Sequence, residues 1–390
     1  MIHNVPYWRL SGFYFFYFAF VGIMSPYWGL YLKSLGFVST QIAILISLST
    51  VMRMFAPTLW GWLADKRGKR VDIVQLSAFL ALLFFLGVFI DSHFAWLFVV
   101  LALMSFFWSA SLPLVEALTL SHLKDAAHHY GRVRLWGSVG FIFMVVGLGY
   151  WLDHHPVGTI PLFVLGSLAG LLLLSRHIPE GQVAPHSHEQ GSIWHVLRQP
   201  EVLGLIIACF LMSAAHGPYY TFYSIYLVDH GYSKSHVGWL WAIGVVSEIV
   251  VFLFAPHLFK RFSAAAVLLV SLALAALRFT IIAWGVDVAL LMVLAQVLHA
   301  ATFGAFHASA VSLVHQHFRG RHQSKGQALY SSVAFGAGGT FGGLVSGYMW
   351  DKAGASWTFT GSALSAALGV LVFALTLRRK ENADPSRSPD

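Results

Sequence analysis

The chain has 390 residues, 57% hydrophobic and only 10% charged, with a mean hydropathy of +0.70. A soluble domain carries roughly a quarter charged residues, so this composition excludes a water-soluble globular protein. The formal charge of +8 collects at the ends of apolar runs rather than in a basic patch, so no nucleic-acid partner is expected.

Taken in order, breaks at Gly, Pro and charge divide the chain into twelve apolar spans of about 20 residues or more, the length that crosses a bilayer. The first six are 10–32, 39–63, 72–90, 94–121, 131–152 and 159–177. The first run is too long for a signal-peptide core and is read as a retained helix. It carries Tyr14 and Tyr17 near mid-span. Span two carries Arg53 and ends in GWLADKRGKR (61–70). Span four holds Glu116, and span five opens on YGRVRLWGSVG (130–140). Arg132 and Arg134 are two apart and point about 200° apart on a helix, so they cannot share a role. Arg132 is expected to snorkel to the surface. Arg134 then faces inward at the depth of Glu116, to pair with it or to exchange partners with a substrate.

The polar interval 178–200 is read as a linker, its His186 and His188 being too few for a closed metal site. The second six spans are 201–228, 235–259, 264–285, 288–317, 325–350 and 355–379, followed by a polar, disordered tail over 380–390. Span seven has a tyrosine cluster that includes Tyr220, and a His216-Gly217-Pro218 step expected to loosen the helix as a hinge. Ionisable groups inside spans are costly and mark a pathway or a pair. Here they are Glu248 in span eight, Arg278 in span nine and His299 and His307 in span ten, besides Arg53, Glu116, Arg134 and His216. Glu248 is the candidate proton carrier, with Glu116, His299 and His307 as further titratable sites. Arg278, His299 and His307 are its candidate partners. Arg53 reads either as a carboxylate anchor or as a structural pair. The single cysteine, Cys209, excludes an internal disulfide.

Nineteen of the 24 Lys and Arg fall on the side that carries both termini, and three (Lys33, Lys234, Lys352) on the other. This asymmetry sets both termini in the cytoplasm. The halves repeat at an offset of about 195: YLKSLGFVSTQIA (31–43) parallels YLVDHGYSKSHVG (226–238), and YWLD (150–153) parallels YMWD (348–351). The expected domains are a six-helix half over 1–177, a linker over 178–200 and a second half over 201–379. Two parallel six-helix repeats suggest a rocking transporter.

GWLADKRGKR resembles the loop signature of the major facilitator superfamily. YGRVRLWGSV, AAHGPYYTFYSIYL and LHAATFGAFHASA resemble its phenylpropionate-transporter branch, similar to lactose permease. The resemblance implies an all-α membrane protein of twelve helices in two pseudo-symmetric halves, a monomer of the inner membrane with no cofactor, driven by the proton gradient. It implies that Gly61, Asp65, Gly68, Lys69 and Arg70 form a conformational gate, the two glycines permitting a tight turn. It also implies that Arg134, Glu116, Arg53, Arg278, Tyr14, Tyr17, His216 and Tyr220 contact a small-molecule substrate. The leading expectation is proton symport of a small organic solute such as an aromatic carboxylate. The alternatives are a sugar or nucleoside symporter and a proton-driven exporter. Export is disfavoured because span five lacks proline between Gly137 and Gly149. No metal cluster, nucleophile elbow or phosphate loop supports an enzyme.

Overall fold

The computed structural model describes residues 5–123, 129–181, 193–319 and 322–383. His186, His188, Arg321 and most of the tail lie outside the described residues. Twelve helices make the spans: α1 Tyr7–Ser34, α2 Ser39–Arg67, α3 Arg70–Phe85 with a 3-10 turn Leu86–Phe89, α4 Phe94–Leu123, α5 Tyr130–His154, α6 Ile160–Ser175, α7 Pro200–Asp229, α8 Lys234–Arg261, α9 Ala264–Trp284, α10 Ala289–His317, α11 over 323–353 and α12 Ala355–Ala383. Eleven are long and apolar enough to cross a membrane. The remaining span, α11, is assembled from Gln323–Ser331, a π-helical stretch Ser332–Gly338 and Gly339–Ala353. Helix α10 is likewise interrupted by a π-helical stretch, Ala300–Ala305. The described residues are all-α, and their helices occupy the twelve expected spans.

The repeat is visible in the turns. Gly36 and Gly231 have φ of +86° and +84°, and the helices that follow begin at Ser39 and Lys234. Only glycine takes that conformation without strain, so the same residue ends the same turn in both halves.

The chain forms two compact units. One comprises residues 1–187 and 222–242, the other 188–221 and 243–390. The second half of α7 and the start of α8 therefore belong with α1–α6. Within the first unit α1 packs on α5 and α6, α3 on α4 and α6, and α2 on α4. Glycines set the closest approaches: a Cβ on Gly140 would run into the Phe15 carbonyl, and one on Gly22 would lie 2.8 Å from the Phe141 carbonyl. In the second unit Gly217 sits against the Gly342–Gly343 backbone and Gly342 against the Ala214 carbonyl. Small residues at such crossings let backbones touch, which is how helices associate in lipid.

Two expectations are corrected here. The His216-Gly217-Pro218 step does not interrupt its helix: α7 runs unbroken from Pro200 to Asp229. Pro218 cannot supply an amide to Ala214, whose carbonyl instead lies against Gly342, and Thr221 Oγ1 donates to the Gly217 carbonyl at 2.9 Å. Nor do Gly61 and Gly68 both make the turn. Gly68, at φ +67°, ends α2, whereas Gly61 is inside that helix with open space where a Cβ would stand.

Gly140→Ala is expected to force α1 and α5 apart and to destabilise the protein by about 1–3 kcal/mol, as overpacking does. A lowered melting temperature in detergent, with Gly61→Ala as the neutral comparison, checks it.

Candidate functional site

Polar side chains gather in each unit separately. In the first unit Tyr14, fully buried on α1, shares a hydrogen bond of 3.2 Å with Thr119 of α4. One turn on, Tyr17 stacks on Trp108 with centroids 4.5 Å apart and planes 9° from parallel. Arg53 lies at the edge of this wall, its guanidinium 6.0 Å from the Trp108 ring and its Nε donating to its own helix at the Ser49 carbonyl, 3.3 Å away. Arg134 lies 3.8 Å from the Phe18 centroid and 5.7 Å from that of Tyr14. Gly137, one turn later, leaves the room: a Cβ there would be 2.7 Å from Arg134 Nη1.

The expected Glu116–Arg134 pair is not formed in contact. Glu116 accepts a hydrogen bond from the Tyr130 hydroxyl at 3.2 Å, while Arg134 turns to the aromatic faces. Among the described residues, neither Arg53 nor Arg134 has a carboxylate within 4.0 Å. Tyr130 and Gly137 were missed in the sequence. Tyr130 precedes the apolar run, where tyrosine ordinarily reads as an interface anchor.

The second unit holds a denser cluster. Arg278 of α9 has no exposed surface. Its Nε donates to the Ala295 carbonyl at 2.8 Å, and its Nη1 reaches His216 Nε2 at 3.3 Å and Thr302 Oγ1 at 3.4 Å. Its plane lies over the Tyr219 ring at 4.3 Å. His216 uses Nδ1 for the Met212 carbonyl at 2.9 Å, which leaves Nε2 as the acceptor for Arg278. The tautomer thus follows from its own helix. Tyr220 sits half-buried beside His216, with centroids 6.2 Å apart. Tyr219, a member of the span-seven tyrosine cluster passed over in favour of Tyr220, donates to Gln296 Oε1 at 2.8 Å.

Glu248 is met by His299 rather than by Arg278. The His299 Nε2 lies 2.7 Å from Glu248 Oε1, and both side chains are largely enclosed. Arg278 makes no ion-pair contact with Glu248: its Nε and Nη1 meet a carbonyl, a hydroxyl and an imidazole, while its buried Nη2 has no hydrogen-bond partner among the described residues. Gly244, one turn before Glu248, gives His299 its place, since a Cβ there would be 3.3 Å from the ring. His307 shares a 3.0 Å hydrogen bond with the Tyr330 hydroxyl.

The loop after α2 is held by Arg70 on Asp65 at 2.5 Å, with Lys69 reaching Asp72 at 3.8 Å. Glu180 Oε2 accepts the Val71 amide at 3.0 Å, adding a carboxylate at the start of α3, where negative charge is favoured. At the opposite end of the first unit, Asp153 accepts the Lys234 amide at 2.7 Å and caps α8. Tyr27 donates to the Val145 carbonyl at 2.6 Å, and Lys33 pairs with Asp229.

Ionisable groups enclosed among apolar helices of spanning length mark a pathway or a structural pair in a membrane protein. Residues 7–361 match the family model described as "MFS_1 like family", and the chain belongs to that family. It is 31% identical over 352 residues to a probable 3-phenylpropionic acid transporter of Escherichia coli K12, covering 89% of this chain and 92% of that protein. It is 27% identical to a maltose permease of Geobacillus stearothermophilus, over 95% and 94% of the two chains. The crystal structure of the nucleoside transporter NupG superposes with a TM-score of 0.82 at 19% identity, over 95% of this chain and 98% of that one. These relatives are solute transporters rather than enzymes.

Arg278→Lys is expected to lower the melting temperature clearly, because each charge-assisted hydrogen bond lost is worth about 1.5–3 kcal/mol. Arg134→Lys, which removes no such bond, is expected to leave it nearly unchanged. Paired thermal melts in detergent check the contrast.

Proposed function

We propose that this transporter carries an aromatic monocarboxylate together with protons across the bacterial inner membrane, by alternating access, with both termini cytoplasmic. The observation that carries the substrate class is the state of Arg53 and Arg134. Each guanidinium lies over aromatic rings without a carboxylate partner. A guanidinium at membrane depth is costly unless a polar partner or water meets it. An incoming carboxylate supplies that partner through two parallel hydrogen bonds. The Tyr14, Tyr17, Phe18 and Trp108 rings offer a surface for an aryl group. The E. coli relative's name supports the same class.

Glu248 and His299 supply the proton step. With His299 Nε2–H donating to Oε1, the carboxyl can hold a proton on its other oxygen, or release it without breaking the contact. A carboxyl that alternates in this way links proton release to reorientation of the bundle. The excess of Lys and Arg at one set of span ends supports termini on the cytoplasmic side.

A second reading, symport of a nucleoside or sugar, is favoured by the hydroxyl network of Tyr130 with Glu116 and Tyr14 with Thr119. Such groups read ribose or pyranose hydroxyls as well as they position a carboxylate's neighbours.

Uptake of labelled 3-phenylpropionate into proteoliposomes under an inward proton gradient distinguishes them. Accumulation that collapses with a protonophore is the expected result. Arg134→Gln should raise KM by about 10- to 100-fold, the loss of one charge-assisted contact. Glu248→Gln should abolish accumulation. Uptake of uridine or maltose instead of the acid would replace the substrate assignment with the second reading.

A further inference from the structure

The π-helical stretch of α10 fixes the relation between the two histidines that flank it. In an uninterrupted α-helix, residues eight apart differ in direction by about 80°. A π bulge takes up one extra residue, so its flanks stand as if seven apart, about 20° off a common line. His299 and His307 flank Ala300–Ala305, where the Phe306 amide reaches back five residues to the Ala301 carbonyl. The bulge therefore brings both histidines to one face, two turns apart. Glu248 packs on that same stretch: a Cβ on Gly304 would lie 3.8 Å from its Cγ. Glu248 contacts His299 at 2.7 Å and interacts electrostatically with His307.

A second π stretch completes the arrangement. It begins two residues after Tyr330, the hydrogen-bond partner of His307. Phe303 and Phe335, one from each π stretch, touch with centroids 6.3 Å apart. Phe335 also packs on His307 and on Tyr330, at 5.5 and 5.7 Å. The two irregular turns thus meet beside the histidine–tyrosine pair.

We propose that the π register of α10 makes His307, held by Tyr330, a second proton station in line with the Glu248–His299 pair. This rests on the proton-coupled reading above. The transfer balances simply. His299 keeps Oε1, so the proton leaves the other oxygen of Glu248. With Nδ1–H donating to the Tyr330 oxygen, the Nε2 lone pair of His307 takes it, directly or through water. A neutral acid and neutral imidazole become a carboxylate and an imidazolium, with one O–H broken and one N–H formed. The charged and titratable groups around this path are Glu248 of α8, His299 of α10 and Tyr330 of α11 in contact, with Arg278 of α9 interacting electrostatically with Glu248 and Cys209 of α7 with Tyr330.

The experiment reads the ratio of proton-driven accumulation to proton-independent exchange in proteoliposomes. Absence of proton-driven accumulation in the unaltered protein would sink the coupled reading itself, before the register is at issue. With that accumulation present, His307→Ala should lower the ratio about tenfold, the effect of displacing a proton equilibrium by one pH unit. Adding Ala308→His should not restore it, since the new ring points about 100° away. Deleting Ala301 removes the bulge yet leaves the flanks seven apart, so the ratio should stay within about twofold of the unaltered protein. Deleting Ala310, outside the bulge, turns everything beyond it and serves as the comparison. An unchanged ratio in His307→Ala, or rescue by Ala308→His, overturns the proposal. So does a folded Ala301 deletion as damaged as the Ala310 deletion. If either deletion fails to give monodisperse protein, the His307→Ala and Ala308→His results decide.

Discussion

A guanidinium keeps its charge at any accessible pH, so a bundle of apolar helices must answer each one with geometry. In the second unit Arg278 is wholly buried among polar partners: a backbone carbonyl, a hydroxyl, an imidazole whose tautomer its own helix dictates, and the face of Tyr219, with Nη2 alone left without a hydrogen bond among the described residues. In the first unit the answer is partial. Arg53 and Arg134 have ring faces and one helix carbonyl, and no carboxylate in contact. The contrast separates a structural arginine from arginines suited to a ligand, although all three look alike in sequence.

The fate of Arg278 also frees Glu248. Had the arginine paired with the carboxylate, it would have pinned the charged form. With Arg278 out of contact, the ion-pair partner of Glu248 is a histidine, which can share a proton where an arginine cannot. Glycines carry this arrangement. Gly244 admits the His299 ring from a neighbouring helix, and Gly137 admits the guanidinium of Arg134 on its own helix.

Much of the fold was legible in sequence because its signals are long and redundant. Twenty apolar residues mark a span whatever their order, and the 195-residue repeat reappears in the matching turns at Gly36 and Gly231. The site residues were found as types, since charge inside a span is conspicuous. Their partners were not. Depth along antiparallel helices suggested that Glu116 would meet Arg134, but side-chain direction sends the arginine to Phe18 and gives the acid to Tyr130. The π stretches left no trace in hydropathy, because one extra residue per turn alters direction without altering composition. The loop signature hid the difference between Gly61 and Gly68, one in a helix and one past its end. The prolyl step at 216–218 looked like a break because the sequence does not display the tertiary contact, Gly342 against the Ala214 carbonyl, that steadies α7.

The lone thiol has a practical bearing. Cys209 is buried in α7, against neighbouring helices and away from solvent. A buried thiol shielded from water reacts slowly with alkylating reagents. The natural protein therefore serves as its own near-cysteine-free background. A reporter thiol placed at either end of the bundle can be labelled for fluorescence or spin-distance work without first re-engineering the core.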